Sequence, residues 1–276
     1  MKYTNDCEIR IFTMSRSGHS AIATWIAYMF GKPTYYFNNV RPFKDPLRHS
    51  STVRNSNKSV RHTEIMSEHK CFVLYAKGGQ ERYFRRIKKI RKAHKKCLMY
   101  AYEDFDIRRL WQKNIVKRGW VGQSKKIFDV IIIRDIFNLV ASRRKCKHKL
   151  WKSPFIFDRW SYMAEEALGK SNYTNNTLII DYNKWFSDIE YRKMLALKLN
   201  IEFSDAGLNF VPGYKRGSSF SGLKWDRNAQ KMKVLHRWKS CMGCNRYKQI
   251  ISGNQRVMEL AKRMYPEIYE SFKKQL

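Results

Sequence analysis

Residues 9–26 read IRIFTMSRSGHSAIATWI, and this stretch decides the fold class. Residues 9–13 have the pattern of a short buried strand, residues 15–18 predict a tight polar turn, and an apolar period typical of a helix begins near His19. A strand that turns directly into a helix aims backbone N–H groups and the positive end of the helix at one place, which favours an anion. Arg16 adds a guanidinium that can hold a phosphate or sulfate with two hydrogen bonds.

This turn differs from the loop that binds nucleoside triphosphates. That loop has the spacing Gly-x-x-x-x-Gly-Lys-Ser/Thr, whereas the turn here has one glycine, Gly18, and no lysine. A small-molecule or nucleoside kinase is therefore the weaker interpretation among enzymes, and no acidic partner for magnesium is evident at the required places. A single glycine in the first turn also occurs in α/β proteins that bind nothing there.

Strand-like runs alternate with helical patterns along the chain. Strands are expected at 34–37, 71–75, 97–102, 128–133 and 177–180, and helices at 80–93, 107–117, 136–147 and 182–199. This alternation predicts a three-layer α/β fold, with a parallel β-sheet flanked by helices on both faces. Ligands of such sheets bind at the carboxyl ends of the strands.

The chain is expected to form a single domain over residues 1–276. Residues 39–69 are polar and contain two prolines, so they are expected to form a long loop that leaves the sheet. Residues 203–224 are expected to be irregular, and the part at about 225–276 helical. The segment 235–238 could pack on a bound ligand or on the core, and the core is preferred. The N-terminus has no signal-peptide pattern and no run is apolar enough to span a membrane, so a cytoplasmic location is expected.

The formal net charge of +33 is far from balance. Such a field favours polyanionic partners, namely nucleic acid, anionic glycans, acidic lipid headgroups or a polyphosphate cofactor, although a lysine-rich solvated surface gives the same number. The six cysteines are too scattered for a disulfide framework, and Cys241 and Cys244 form a single C-x-x-C pair without two further ligands. No metal site is predicted.

A second candidate site lies at residues 128–142, FDVIIIRDIFNLVAS. Arg134 stands at the end of an expected strand, and Asp135 can cap the helix that follows. Ser142 lies eight residues beyond Arg134 on that helix, so a guanidinium and a hydroxyl could hold one phosphate from two sides. The alternative is an arginine that only pairs with the capping aspartate.

Taken together, these segments resemble the sulfotransferase family that uses 3′-phosphoadenosine 5′-phosphosulfate (PAPS). The family's Lys/Arg-Ser-Gly turn reads RSGHS at 16–20, and its Arg-Asp-Pro-x-Asn/Asp-x-x-x-Ser motif reads RDIFNLVAS at 134–142. LIIDYNKW at 178–185 is similar to the family's Tyr-Glu-Asp-Leu segment, and RGSSF at 216–220 is similar to its late basic glycine loop. The resemblance spans roughly residues 8–220 and implies a P-loop-NTPase-like sulfotransferase fold.

The resemblance also implies roles for individual residues. Arg16 would bridge toward the transferring sulfuryl group. The 5′-phosphosulfate would be held by Ser17, Gly18, His19 and Ser20. The 3′-phosphate would be held by Arg134, Ser142, Arg216, Gly217 and Ser218. No metal is implied, because the cationic side chains neutralise the charge, and the product is adenosine 3′,5′-bisphosphate (PAP). The family usually has Thr or Ser where His19 stands, so that hydroxyl contact is lost here.

The acceptor hydroxyl or amine needs a general base. Glu103 follows an expected strand at its carboxyl end, as the family's base often does, and Asp104 and His19 are the alternatives. The acceptor itself stays open, as a small molecule, a glycan or a glycolipid. The basic charge of the protein favours an acceptor with an anionic group and would also allow peripheral contact with an anionic membrane. No obligate nucleic-acid partner is expected, although a basic nucleic-acid-binding protein remains the alternative from a different class. The sequence gives no oligomeric state.

Overall fold

A computed structural model describes residues 4–31, 33–40, 42, 90–111, 121–148, 151–174, 176–211 and 217–276, together with the backbone of residues 51–55, 58–67 and 70–75. The strands are β1 Asn5–Thr13, β2 Thr34–Phe37, β3 Ser51–Asn55, β4 Lys58–Ser67, β5 Lys70–Tyr75, β6 Lys95–Glu103, β7 Ser124–Ile133 and β8 Leu178–Asp181. The helices are α1 His19–Phe30, α2 Ile107–Trp111, α3 Ile136–Lys145, α4 Pro154–Ala167, α5 Tyr182–Ser187, α6 Ile189–Lys198, α7 Asn245–Ser252, α8 Gln255–Met264 and α9 Pro266–Lys273, with 3₁₀ helices at Ala229–Lys231 and Val234–Cys241.

Five strands form a parallel sheet in the order β2-β6-β1-β7-β8, which confirms the predicted fold class. β1 lies at the centre, where Thr13 is in register with Glu103 of β6 and with Ile132 of β7. Ile133 is in register with Asp181 of β8. The carboxyl ends of four strands therefore meet at one edge of the sheet, where an α/β protein binds its ligand.

The sheet continues beyond its parallel part as an antiparallel extension. β4 pairs with β2 in antiparallel fashion, and β3 and β5 both pair with β4. The long loop expected at 39–69 is therefore wrong in part, because β3 and β4 both fall inside it. The polar composition hid β-branched residues such as Thr52, Val53 and Val60, which favour strands.

Hydrophobic residues of the central strands alternate between the two faces of the sheet. Ile9 and Ile11 belong to a buried cluster that includes Trp25 of α1 and Trp185 of α5. Phe12, on the opposite face, belongs to a second buried cluster with residues of α3, α4 and the C-terminal helices, including Phe137, Trp160, Tyr247 and Phe272. This period of two places helices on both sides of the sheet, as a three-layer fold requires.

Several helix boundaries differ from the expectation. The continuous helix expected at 182–199 is two helices, because Asp188 has an extended backbone and caps α6 by accepting the N–H groups of Glu190 and Tyr191 at 2.8 and 3.1 Å. Most of the helix expected at 80–93 and the part of the helix expected at 107–117 beyond residue 111 lie outside the described residues. Residues 225–276 contain the two 3₁₀ helices and the helices α7, α8 and α9. Across the described segments, no helix combines the length and apolar character needed to cross a membrane.

Candidate functional site

One cleft of about 290 Å³ opens at the carboxyl edge of the parallel strands. The turn after β1 contributes Arg16, the end of β6 contributes Glu103, the residue after β7 is Arg134, and the residue after β8 is Tyr182, and all four line the cleft. The parallel register thus brings together side chains that lie far apart in the sequence. The cleft holds most of the residues that the sequence singled out.

The turn between β1 and α1 has the backbone geometry of an anion cradle. Arg16 and Gly18 both have positive φ angles, 75° and 92°, and Gly18 is the N-cap of α1. A Cβ atom at Gly18 would lie 2.1 Å from a ring carbon of Tyr182, so only glycine fits here. The first N–H groups of a helix have no acceptor within the helix, and those of α1 begin at the cleft, which Gly18, His19 and Ser20 line.

Ser17 braces the turn from inside. Its side chain is 1% exposed, its hydroxyl lies 2.5 Å from the hydroxyl of Thr13, and its N–H donates to Met14 O at 3.1 Å. Both polar groups that Ser17 could offer to a ligand are therefore used within the protein. The resemblance implied that Ser17 contacts the 5′-phosphosulfate, which stays a prediction, and in the structure Ser17 holds the turn.

His19 directs its side chain across the sheet edge. It is 5% exposed, and its Nε2 lies 3.1 Å from Asn38 Oδ1 and 3.3 Å from Glu103 Oε1. The main chain of His19 belongs to the first turn of α1, while its imidazole contacts the carboxylate at the end of β6. The residue that departs from the family motif therefore joins the anion cradle to the candidate base.

Arg134 lies buried between the turn and the C-terminal part of the chain. It is 2% exposed, its Nη2 donates to Val234 O at 2.6 Å, and its Nη1 lies 3.3 Å from Arg16 O and 3.4 Å from Ser142 Oγ. Its guanidinium carbon is 4.8 Å from the centre of the Tyr182 ring. Its Nε has no hydrogen-bond partner among the described residues. A buried donor of this kind carries a penalty until an acceptor reaches it.

Arg237 is the functional candidate that the sequence interpretation missed. Its Nη1 lies 3.4 Å from Ser142 Oγ and its Nη2 donates to Ser218 Oγ at 2.8 Å, so it meets Arg134 at the same hydroxyl. Burial, and then the positive charges of Arg134 and Arg16, lower the pKa of Arg237 to about 10, which leaves it charged at neutral pH. Its neighbour Trp238 is 1% exposed and packs in the core, as expected for this segment. The only sequence signal was a basic residue beside that core tryptophan.

The motif after β7 also holds this arginine in place. Asp135 caps α3 by accepting the N–H of Asn138 at 2.7 Å, which confirms the predicted cap. Asn138 is fully buried, its Nδ2 donates to Leu235 O at 2.9 Å, and its Oδ1 accepts the N–H of Trp238 at 3.1 Å. These two bonds attach the 3₁₀ helix Val234–Cys241 to α3, so Asn138 positions Arg237 without touching it.

Two acidic residues stand at the end of β6 in different surroundings. Asp104 has a φ of 57°, accepts the N–H of Ser15 at 3.0 Å and forms an ion pair with buried Arg143. Glu103 lines the cleft with a side chain that is 12% exposed. Asp104 therefore ties the turn to α3, and Glu103 is the one of the two carboxylates that lines the cleft.

His148, which follows α3, lines the cleft as well. Burial lowers its pKa, the charge of Arg143 lowers it further, the carboxylates of Asp104 and Glu103 act in the opposite direction, and Arg16 adds a smaller lowering. The imidazole is therefore neutral at pH 7 and can exchange hydrogen bonds with a polar ligand.

The late loop closes the cleft on the side of Arg237. Gly217 has a φ of 79°, and a Cβ atom there would lie 2.6 Å from Gly222 O. Ser218 and Gly222 exchange two backbone hydrogen bonds at 3.0 and 2.9 Å, which fixes the Ser218 hydroxyl near Arg237. Gly217 and Ser218 both line the cleft, whereas Arg216 lies outside the described residues. Within the described ranges, no group of three His, Cys, Asp or Glu side chains could hold a metal ion.

Comparisons with known proteins identify the fold. No protein-family model and no curated protein sequence matches this chain. Among solved structures, a mouse sulfotransferase, SULT7A1 complexed with PAP, is 12% identical, with a TM-score of 0.46 over 98% of this chain and 90% of that one. The sulfotransferase domain of the Synechococcus PCC 7002 olefin synthase is 12% identical, with a TM-score of 0.52 over 95% of both chains. This chain therefore has the α/β fold of a sulfotransferase domain.

Proposed function

We propose that this protein is a sulfotransferase that moves a sulfuryl group from PAPS to a hydroxyl or amine of an acceptor. The observation that carries the proposal is the convergence of Arg134 and Arg237 on Ser142, beside the anion cradle at the start of α1. Arg134 Nη1 also lies 3.3 Å from Arg16 O, so the two anion subsites adjoin in one cleft. A nucleotide with a 3′-phosphate and a 5′-phosphosulfate would occupy both.

The residues present fit such a donor. Arg16, Arg134 and Arg237 repel one another, and the repulsion lowers the pKa of Arg237 after burial has done so. A bound phosphate would remove that repulsion and supply the acceptor that Arg134 Nε lacks among the described residues. Apolar side chains of the same cleft would bury a nucleoside, namely Tyr182, Trp185, Phe186, Leu208 and Phe210.

The donor, when bound, supplies a sulfuryl group whose leaving group is a phosphate. Arg16 and the N–H groups of the first turn of α1 would stabilise the negative charge that grows on the bridging oxygen as the S–O bond breaks. Arg16 keeps its proton, because a guanidinium remains charged under all physiological conditions, and so acts by charge alone. Glu103 would accept the proton of the acceptor hydroxyl as the new O–S bond forms in line with the leaving oxygen.

We further propose a carbohydrate acceptor, a glycan or glycolipid. The cleft beside Glu103 is lined by the amides of Asn38 and Asn39 and by the imidazole of His148, all of which exchange hydrogen bonds with hydroxyl groups. The net charge of +33 supports an acceptor that carries an anionic group.

Calorimetric titration with PAP, with adenosine 5′-monophosphate and with ATP tests the donor. We expect saturable binding of PAP and an affinity for the other two nucleotides lower by about tenfold or more, because only PAP fills both subsites. Arg134→Ala should abolish PAP binding, while Arg246→Ala, an exposed arginine on α7, should leave it unchanged. Equal affinity for ATP and PAP, or no binding of PAP at millimolar concentration, contradicts the proposal.

Transfer of ³⁵S from labelled PAPS tests the reaction. The acceptors to compare are desulfated heparin, chondroitin, a neutral oligosaccharide and a phenol. Labelling of a glycan by the wild type and not by Glu103→Gln supports both the carbohydrate acceptor and Glu103 as the general base. Labelling of the phenol alone would refute the carbohydrate acceptor and leave the donor assignment standing.

A further inference from the structure

We propose that His19 is a positioning residue, whose imidazole holds the Glu103 carboxylate in place and links it to the anion cradle. The catalytic part of this inference, that Glu103 is the general base, rests on the proposed function. Its structural content rests on the contacts of His19 alone, since Nε2 lies 3.3 Å from Glu103 Oε1 and 3.1 Å from Asn38 Oδ1.

The surrounding hydrogen bonds assign the proton on this imidazole. Nε2 of His19 lies 3.3 Å from Glu103 Oε1, and the oxygen of an ionised carboxylate can only accept. Nε2 must therefore carry the hydrogen, which it donates to Asn38 Oδ1 at 3.1 Å, and the hydroxyl of Tyr36 donates to the same oxygen at 2.9 Å. Nδ1 is left to face Ser17 Oγ at 3.5 Å, and Ser17 Oγ lies 2.5 Å from Thr13 Oγ1. A polar chain thus runs from Thr13 through Ser17 and His19 to Glu103.

Glu103 faces charged groups from several elements. Arg16 from the turn after β1 and His148 from the segment after α3 line the same cleft. Asp104, the next residue, is paired with Arg143 of α3 and bound by the Ser15 amide. Nε2 of His19, from α1, lies 3.3 Å from one carboxylate oxygen of Glu103 within this field. The imidazole of His19 therefore lies against the Glu103 carboxylate and limits where that carboxylate can move.

This contact gives a physical reason for the departure of His19 from the family motif. The resemblance implies Thr or Ser at this position, with a hydroxyl toward the donor. A threonine side chain is too short to replace an imidazole that reaches the end of β6. We infer that in this chain the cradle relies on main-chain N–H groups at this residue, while the side chain serves the base.

Nuclear magnetic resonance of ¹⁵N-histidine-labelled protein tests the contact without any ligand. The signals of His19, identified by their absence in His19→Gln, should show the tautomer protonated at Nε2. They should change in Glu103→Gln and stay unchanged in Glu190→Gln, a control on the exposed face of α6. The inference is overturned if the tautomer is protonated at Nδ1 or if the His19 signals are unchanged in Glu103→Gln. Either result holds whether or not the protein is a sulfotransferase.

The pH dependence of kcat/KM then tests the role in transfer. We expect His19→Thr to bind PAP within about twofold of the wild type, to lose roughly tenfold in kcat, and to shift the acid limb of the profile to higher pH, because the carboxylate has lost the N–H dipole beside it. His19→Gln retains an N–H donor and should restore most of kcat. A weaker PAP affinity in His19→Thr with an unshifted profile would assign His19 to the cradle instead. A wild type that does not bind PAP refutes the proposed function and not the contact.

Discussion

Arg237 is the residue whose removal most directly tests the second anion subsite. Its guanidinium contacts Ser142 and Ser218. Burial and the positive charges of Arg134 and Arg16 lower its pKa. We expect Arg237→Ala to lower the affinity for PAP by roughly 10- to 100-fold, the worth of a charge-assisted hydrogen bond. The affinity for adenosine 5′-monophosphate, which has no 3′-phosphate, should change by less than about threefold.

Lys239→Ala is the matched control for this measurement. Lys239 lies two residues further along the same 3₁₀ helix and is exposed to solvent. Isothermal titration should give the same PAP affinity for this variant as for the wild type. An equal loss in both variants would mean that general positive charge, rather than the site, binds the nucleotide.

Gly18 combines a positive φ with close contact to an aromatic ring. Gly18→Ala would place a methyl group 2.1 Å from the Tyr182 ring at a φ of 92°, so both backbone strain and overpacking act. We expect the free energy of unfolding to fall by about 3 kcal/mol. Gly169→Ala, at a φ of 66° with open space around it, should lose only about 1 kcal/mol. Urea denaturation measures both, and equal losses would show that the Tyr182 contact contributes nothing.

At the scale of elements, Asn138 joins α3 to the 3₁₀ helix that carries Arg237. Asn138→Ala leaves Leu235 O and the N–H of Trp238 without their partner, and we expect a loss of about 2 to 4 kcal/mol in the free energy of unfolding. The PAP affinity should also fall by roughly tenfold, because Arg237 is no longer held.

A double-mutant cycle separates positioning from general destabilisation. If Asn138 acts through Arg237, the affinity loss of the Asn138→Ala and Arg237→Ala double variant is smaller than the sum of the single losses. Asn228→Ala, on an exposed part of the preceding loop, is the control and should change neither quantity. Additive losses would contradict the positioning role.

Asp181 caps α5 and gives the fold a pH dependence. Burial raises its pKa from 3.8 to about 6, although the N–H groups of Asn183 and Lys184 and the charge of Lys184 act in the opposite direction. Between these values the folded protein binds more protons than the unfolded chain, so the free energy of unfolding falls as pH rises from about 4 to about 6 and stays lower above it. Asp181→Asn removes this term and keeps an acceptor for the cap.

We therefore expect the free energy of unfolding of Asp181→Asn, relative to that of the wild type, to increase by about 2 to 3 kcal/mol as the pH rises from 4 to 7. Urea denaturation at both pH values provides the measurement. Asp188→Asn, which changes the cap of α6 on an exposed helix end, is the matched control. A constant difference between Asp181→Asn and the wild type across this range would refute the argument.

At the scale of the whole molecule, the net charge of +33 permits binding to any polyanion. We expect the affinity for a 20-base-pair DNA duplex to fall by about 1,000-fold between 50 and 200 mM NaCl, since such binding rests on phosphate charge. PAP affinity should fall by less than about tenfold, because buried charges are screened less. Arg134→Ala should remove PAP binding and leave DNA binding unchanged. The same salt dependence for both ligands would favour the nucleic-acid-binding alternative.

The sequence by itself determined the features that depend on neighbours along the chain. The turn at residues 15–18, the cap at Asp135 and the alternation of strands and helices follow from local backbone preferences and from hydrophobic period, so they could be predicted. The spacing of Arg134 and Ser142 also acts locally, through two turns of one helix. The hydrophobic period was weaker in the polar strands β3 and β4, and there the prediction of a loop was wrong.

The tertiary structure alone decided which distant side chains meet. The register of β1 with β6 brings His19 to Glu103, and the packing of the segment after Val234 on α3 brings Arg237 to Ser142. It also turned the Ser17 hydroxyl inward to Thr13. No periodicity or cap encodes these contacts, because they arise from packing between elements that are tens of residues or more apart. The sequence thus located the turn before α1, and the fold supplied Arg237 and brought His19 to Glu103.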